Sequence, residues 1–193
     1  MMRRNGLLFA ALALALFQIG FLSWIILARA AVLRDGREIL LKVEPVDPRD
    51  LLRGDYVRLG YEISRVPVAL VSNFPSGGDV DAGIIDVRLR RQPDGFWRAT
   101  TARLGETVAG EPSADEIDLQ GEVPAAWNLD ASSSLSVDYG IERFYLPEGA
   151  GKPIERDMRV RSFGILAAVG ADGKPQIKAL VDGDTKLFEE PLY

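Results

Sequence analysis

A run of 23 residues without any charged side chain, from Gly6 to Ala28, dominates the beginning of the chain. As an α-helix it would be roughly 35 Å long, enough to cross a hydrocarbon layer of about 30 Å. Its polar side chains are Gln18 and Ser23, and Trp24 lies near its far end, where aromatic residues typically meet the membrane interface. The run therefore predicts a transmembrane helix.

A cleaved signal peptide is the alternative interpretation of the same run. Arg3 and Arg4 would form its basic leader, and the small residues of Ala28-Arg29-Ala30 match a cleavage site. The apolar run is longer than the roughly 7–15 residues of such a peptide, so an uncleaved anchor is favoured. The leading arginines predict a cytoplasmic N-terminus, although three arginines follow the run and weaken that prediction: Arg29, Arg34 and Arg37.

Charge and composition limit the possible partners and active sites of the part of the chain that follows the anchor. We divide the chain into residues 1–33, a cytoplasmic lead and transmembrane anchor, and residues 34–193, an extracytoplasmic domain. The first part holds three Arg and no acid, so the second holds 20 basic and 28 acidic residues, a net charge of −8. An acidic domain argues against nucleic acid as a partner. The chain has no Cys and no His, which excludes disulfides, Ser-His-Asp triads and Cys-His dyads.

Short alternating stretches between turn residues indicate that the domain is mainly β. Hydrophobic residues recur at every second position in residues 39–43, 57–63, 85–89 and 135–141, and residues 161–190 match three strands joined by two tight turns. Four Asp-Gly pairs mark turns, beginning at positions 35, 94, 172 and 182. Residues 105–134 are the least regular part, a loop excursion with a short helix or strand around 116–122. We expect an antiparallel β sandwich or barrel-like domain with short helical turns.

The segment DPRDLLRGDYVRLGYEIS, residues 47–64, combines a charged turn with the start of a strand. Asp47 suits a helix N-cap, Pro48 a first helical position and Gly54 a left-handed residue that closes the turn. Asp55 and Tyr56 are not explained by this structural account, except that Asp55 could hydrogen-bond a neighbouring backbone amide.

Residues 54–61 spell G-D-Y-x-x-L-x-Y, and here the chain resembles the GDYXXLXY protein family. The preceding PVDPRDLLR, the later YGIERFYLPEG at 139–149 and the GKPIE that follows also resemble the family pattern. The resemblance implies a small bacterial protein anchored in the inner membrane by one helix, with a periplasmic domain. It also implies a multi-pass membrane protein as partner, since such proteins often lie beside or are fused to one. It carries no established activity.

Three kinds of chemistry compete with a purely binding role. RGDYV is similar to a strand of type I signal peptidases, but residues 32–53, where their nucleophile belongs, contain no Ser. A fold shared with these peptidases, without their activity, is the alternative.

Asp55 could pair with Glu142 or Glu148 as the acid and base of an envelope hydrolase. Two aspartate clusters, Asp79–Asp81–Asp86 and Asp182–Asp184, lack the spacing of an EF-hand. We predict no metal and no cofactor.

A binding role fits the motif segments best. They are rich in tyrosine, phenylalanine and arginine, the residue types that dominate interaction hot spots. We expect a non-enzymatic accessory protein whose contact residues are Arg53, Asp55, Tyr56, Arg58, Arg143, Tyr145 and Glu148. If Val57, Leu59 and Tyr61 point inward, then Tyr56 and Arg58 point outward.

Overall fold

The computed structural model describes residues 2–44, 56–145, 163–183 and 185–190; for residues 2–5, 7, 8, 56–58 and 145 it describes the backbone alone. The chain begins with one long helix, α1 (Met2–Asp35), and continues almost entirely in antiparallel strands. Among the described residues α1 is the one helix long and apolar enough to cross a membrane, over Phe9–Asp35. The predicted helix and the mainly β domain are therefore both confirmed.

The end of α1 packs against the domain instead of leaving it through a linker. Ala30 and Leu33 are buried, and the last turn contacts the neighbouring strands near Val169 and Gly170. The Gly36 amide donates a hydrogen bond to the Val32 carbonyl at 2.9 Å. The first Asp-Gly pair was predicted to be a turn; it marks the end of this helix, one residue before the first strand.

In the described part of the chain, twelve strands follow the helix. Their bounds are β1 (Arg37–Glu44), β2 (Tyr56–Arg58), β3 (Gly60–Tyr61), β4 (Arg65–Pro67), β5 (Gly83–Arg91), β6 (Trp97–Leu104), β7 (Glu116–Val123), β8 (Ser134–Ser136), β9 (Arg143–Tyr145), β10 (Phe163–Val169), β11 (Pro175–Asp182) and β12 (Thr185–Glu189). Two short 3₁₀ turns, Glu62–Ser64 and Val68–Leu70, flank β4. The helical turn predicted for residues 47–54 lies outside the described residues.

Two larger sheets surround one hydrophobic core. The first has the order β12-β11-β10-β1-β3 and the second the order β6-β5-β7, while β2 pairs with β9 and β4 with β8. The described sheets do not close into a barrel. Strand β1 contacts β6, and residues of both sheets are completely buried in the shared core, among them Leu41, Ile85 and Ile165.

The alternating patterns predicted the buried side chains correctly wherever these are described. Buried residues recur at every second position of β1 and from Leu135 to Ile141. Of the tight turns, Asp94-Gly95, Asp172-Gly173 and Asp182-Gly183 each join two neighbouring antiparallel strands, and each glycine has a positive φ. The irregular region 105–134 contains β7, so the strand option for residues 116–122 is confirmed.

Strand β5 differs from the simple pattern because both of its faces are covered. Arg88 is only 7% exposed, although it alternates with the core residues. Its guanidinium forms two hydrogen bonds to Asp118, both of 2.7 Å, and donates to the carbonyls of Ala109 and Gly110 at 3.2 and 2.6 Å. The loop before β7 therefore lies over the outer face of β5, where Arg88 holds its middle and Arg37 binds its end through the Ala114 carbonyl.

Candidate functional site

The two sequence motifs meet as neighbouring strands. Strand β2 pairs antiparallel with β9, in the register Tyr56 with Tyr145, Val57 with Phe144 and Arg58 with Arg143. The Leu59 amide then donates to the Glu142 carbonyl at 2.8 Å, and the Val137 amide donates to the Ser64 carbonyl at 2.9 Å. We call residues 56–64 together with 137–145 the motif junction. Residues about 80 positions apart in the chain thus form one continuous ribbon.

Two buried tyrosines connect the halves of the motif junction reciprocally. The Tyr61 hydroxyl donates to the Ile141 carbonyl at 2.6 Å, and the Tyr139 hydroxyl donates to the Ile63 carbonyl at 3.1 Å. Burial, with a smaller effect from the nearby Glu142 carboxyl, raises the pKa of both phenols. Both hydroxyls therefore remain protonated donors at any physiological pH, which suits a structural role.

Glu142 is the group whose charge depends on pH near neutrality. One carboxyl oxygen accepts the Tyr139 backbone amide at 2.7 Å, and its side chain also hydrogen-bonds the carboxyl of Asp138. A bond between two carboxyls needs one of them protonated, because an ionised carboxyl only accepts. Burial and the neighbouring Asp138 raise the pKa of Glu142 from 4.5 to about 7.

A glycine turn brings these two carboxyls together. Gly140 has a φ of 77°, a left-handed conformation that glycine adopts without strain, and its amide donates to the Asp138 side chain at 2.8 Å. The backbone of Asp138 is itself fixed by two hydrogen bonds with Glu122 of β7, of 2.8 and 2.9 Å. The acid pair is thus built into a turn that is anchored on both sides.

The predicted site residues fall into three groups. Arg53, Asp55 and Glu148 lie outside the described residues, so the proposed pairing of Asp55 with a glutamate is not tested. For Tyr56, Arg58 and Tyr145 the backbone alone is described, and it joins them in β2 and β9. Arg143 is exposed and Glu142 is partly buried. The pairing of the two motif segments, which the sequence did not predict, is thus a finding at the level of the backbone.

Sequence reasoning missed Asp138, which is the carboxyl that Glu142 meets. The signal was present in the string Asp-Tyr-Gly-Ile-Glu, because a glycine two residues after an aspartate favours a turn that brings positions i and i+4 close together. Among the described residues no group of three or more acidic, His or Cys side chains could hold a metal ion. Asp86, grouped with Asp79 and Asp81 in the sequence, lies in the covered part of β5 with a raised pKa, caused first by burial and then by Asp118.

Comparison with known proteins gives one match. The sequence profile of the family described as GDYXXLXY protein matches residues 18–180, which include the second half of α1 and the whole motif junction. No curated protein and no solved structure matches the chain.

Proposed function

The chain belongs to the GDYXXLXY protein family, and on that premise we propose that it is a membrane-anchored accessory protein that acts with a multi-pass membrane protein. Its domain lies outside the cytoplasm of a bacterial cell, held at the inner membrane by α1. The contact with the partner is made through the motif junction and the residues next to it in the chain, with Arg53, Asp55, Tyr56, Arg58, Arg143, Tyr145 and Glu148 as contact residues.

The observation that carries this proposal is the union of the two motifs in one ribbon. Residues that define the family pattern supply a hydrogen-bonded backbone, two buried tyrosines and an exposed arginine, Arg143. A stiff ribbon with exposed arginine suits protein recognition, because pre-organised contacts lose little entropy on binding.

The anchor is proposed to stay attached. Ala30, the last residue of the potential cleavage site, lies within α1, and both Ala30 and Leu33 are buried against the domain. Cleavage would remove part of this contact. The leading arginines, Arg3 and Arg4, support a cytoplasmic N-terminus and a periplasmic domain.

Capture of the partner tests the proposal. Full-length protein with an affinity tag would be cross-linked in native membranes, and co-purifying multi-pass proteins would be quantified by mass spectrometry. We expect Arg143→Ala, Tyr56→Ala and Arg58→Ala each to reduce capture roughly tenfold or more, as loss of a hot-spot side chain does. Arg91→Ala, which removes an exposed arginine at the end of β5, is the matched control. Equal capture by all four variants would reject the motif junction as the contact.

A second candidate function is supported by the Asp138–Glu142 pair. A carboxyl with a pKa of about 7 can donate and accept protons at neutral pH, which keeps an envelope hydrolase open. Activity on an envelope substrate that Glu142→Gln abolishes, while partner capture persists, would favour this candidate.

A further inference from the structure

Among the described residues of the β domain, Trp127 is the most exposed large hydrophobic side chain. Of the three tryptophans, Trp24 lies in α1 and Trp97 is buried at 5% exposure, beneath the guanidinium of Arg37. Trp127 is 67% exposed, in the loop between β7 and β8. An indole has about the largest apolar surface of any side chain, so this exposure needs a reason.

The loop that carries Trp127 is held firmly on both sides of it. Val80 and Ala126 exchange two backbone hydrogen bonds, of 2.8 and 2.9 Å, and the Leu129 amide donates to the Gly78 carbonyl at 2.9 Å. The Asn128 amide donates to the Asp79 carboxylate at 3.0 Å. A Cβ at Gly78 would lie 2.5 Å from the Leu129 carbonyl oxygen, so only glycine permits this approach. The indole is therefore displayed on a fixed backbone.

The carboxylates around this loop have no ion-pair partner among the described residues. Several other acids of the domain do have one, for example Glu62 and Asp94 with Arg98 and Glu38 with Lys178. Asp79, Asp81 and Asp130 form no ion pair among the described residues. Asp79 is hydrogen-bonded to the residue after Trp127, Asp81 is two positions along the same segment, and Asp130 is three positions after Trp127.

The sequence explains this lack of counter-charge. The two segments that form the region, residues 66–87 and 104–142, contain three and nine acidic residues respectively, and neither contains a Lys or Arg. Within these two segments no basic residue offsets the negative charge of Asp79, Asp81 and Asp130. An aromatic face surrounded by negative charge attracts cations twice over, through the ring quadrupole and through the carboxylates.

We propose that Trp127, with Asp79, Asp81 and Asp130, is a docking surface for a basic segment of another polypeptide. An arginine or lysine of the partner stacks on the indole, and neighbouring basic side chains pair with the carboxylates. This chemistry selects a protein segment over the membrane, because the anionic surface of a bilayer would repel the carboxylates. The surface does not depend on the motif junction, so it can bind whether or not the accessory function proposed above is correct.

Binding of a labelled octa-arginine peptide to the full-length protein tests the proposal. The measurement is fluorescence anisotropy in uncharged detergent at low and moderate salt, with EDTA present and octa-glutamate as the control peptide. We expect Trp127→Ala to weaken octa-arginine binding by about 5- to 30-fold, the range for an aromatic–cation contact. Trp127→Phe should keep part of the affinity, since phenylalanine retains a weaker aromatic face.

Two variants that each remove one negative charge distinguish binding at the Trp127 surface from non-specific attraction of the peptide to the acidic domain. Asp81→Asn should weaken binding several-fold, whereas Glu111→Gln, on the loop over β5, should leave it unchanged. The thermal midpoint of Trp127→Ala should match that of the parent chain, which shows that the fold is intact.

Three results would overturn the proposal. They are equal losses for Asp81→Asn and Glu111→Gln, an unchanged affinity for Trp127→Ala, and contact of Trp127 with lipid. Contact with lipid is measured in nanodiscs that contain brominated phosphatidylcholine, which quenches tryptophan fluorescence. The fluorescence of Trp127 is obtained as the difference between the parent chain and Trp127→Ala. We expect no such quenching.

Discussion

At the scale of single residues, Glu142 is the side chain whose behaviour departs most from its ordinary chemistry. The sequence pointed to it as an acid in a motif and suggested Asp55, which lies outside the described residues, as its partner. The partner in the structure is Asp138, four positions away. Period-two patterns predict which side chains are buried, because burial in a strand is a local property. They do not predict which two carboxyls meet, because that depends on the geometry of a turn.

Glu142→Gln is predicted to change how stability depends on pH. The pKa of Glu142 is raised on folding, so the folded state holds the proton more tightly than the unfolded state. Its stabilising contribution is present below about pH 4.5 and is lost as the pH rises through about 7, a change of order 1–3 kcal/mol. Glutamine hydrogen-bonds without ionising, so the variant should be more stable than the parent at pH 8 and similar at pH 4.

Urea unfolding of the full chain in detergent, at pH 4 to 8, measures this effect. Glu122→Gln is the control, since Glu122 is an exposed acid of β7 that joins Asp138 through the backbone alone. Parallel stability curves for the parent chain and Glu142→Gln would contradict the prediction.

At the scale of elements, the two tyrosine bonds of the motif junction are expected to act together. Tyr61→Phe and Tyr139→Phe each leave a buried carbonyl without its donor, a loss of about 1–2 kcal/mol. Because both bonds join the same two segments, the losses should not be additive, and a double-mutant cycle should give a coupling energy of about 0.5 kcal/mol or more. Strict additivity in chemical unfolding would show that the two segments are held independently.

The loop over β5 is predicted to depend on Arg88. Lysine cannot reproduce the two bonds to Asp118 together with those to the loop carbonyls. Arg88→Lys should therefore lower the free energy of unfolding by about 2–3 kcal/mol and speed cleavage after Glu111 by a glutamate-specific protease. Arg90→Lys alters a pair in which the arginine side chain is 56% exposed and should cost less than about 1 kcal/mol. Equal protease resistance of the two variants would contradict this role.

The elements themselves were largely predictable, whereas their order in the sheets was not. Tight turns and alternation revealed β10, β11 and β12, because neighbouring strands joined by Asp-Gly leave a local signature. Nothing local indicates that β1 pairs with β10, where Ile39 lies opposite Ala167. The burial of the outer face of β5 was equally unpredictable, because the loop that covers Arg88 lies some twenty residues later in the chain.

At the scale of the whole molecule, the helix and the domain are expected to behave as one folded unit. Leu33 is 3% exposed against the domain, while Leu27, also in α1, is 64% exposed. Leu33→Ala should therefore destabilise the β domain by about 2–3 kcal/mol, as removal of a buried leucine does, and Leu27→Ala should hardly change it. Loss of near-ultraviolet circular dichroism on heating, in detergent, measures both. If the two substitutions have equal effects, the helix end does not contribute to the domain.

The join between helix and domain also determines a direction. Because α1 leads directly into β1, the domain has a fixed rotational orientation about the helix axis. Each face of the helix therefore lies below a particular face of the domain. One residue inserted in the middle of the helix would lift the domain by about 1.5 Å yet swing it through about 100°. A protein bound to one face of the helix would then contact a different face of the domain. The join between α1 and β1 therefore determines the rotation of the domain about the helix more than its distance from the membrane.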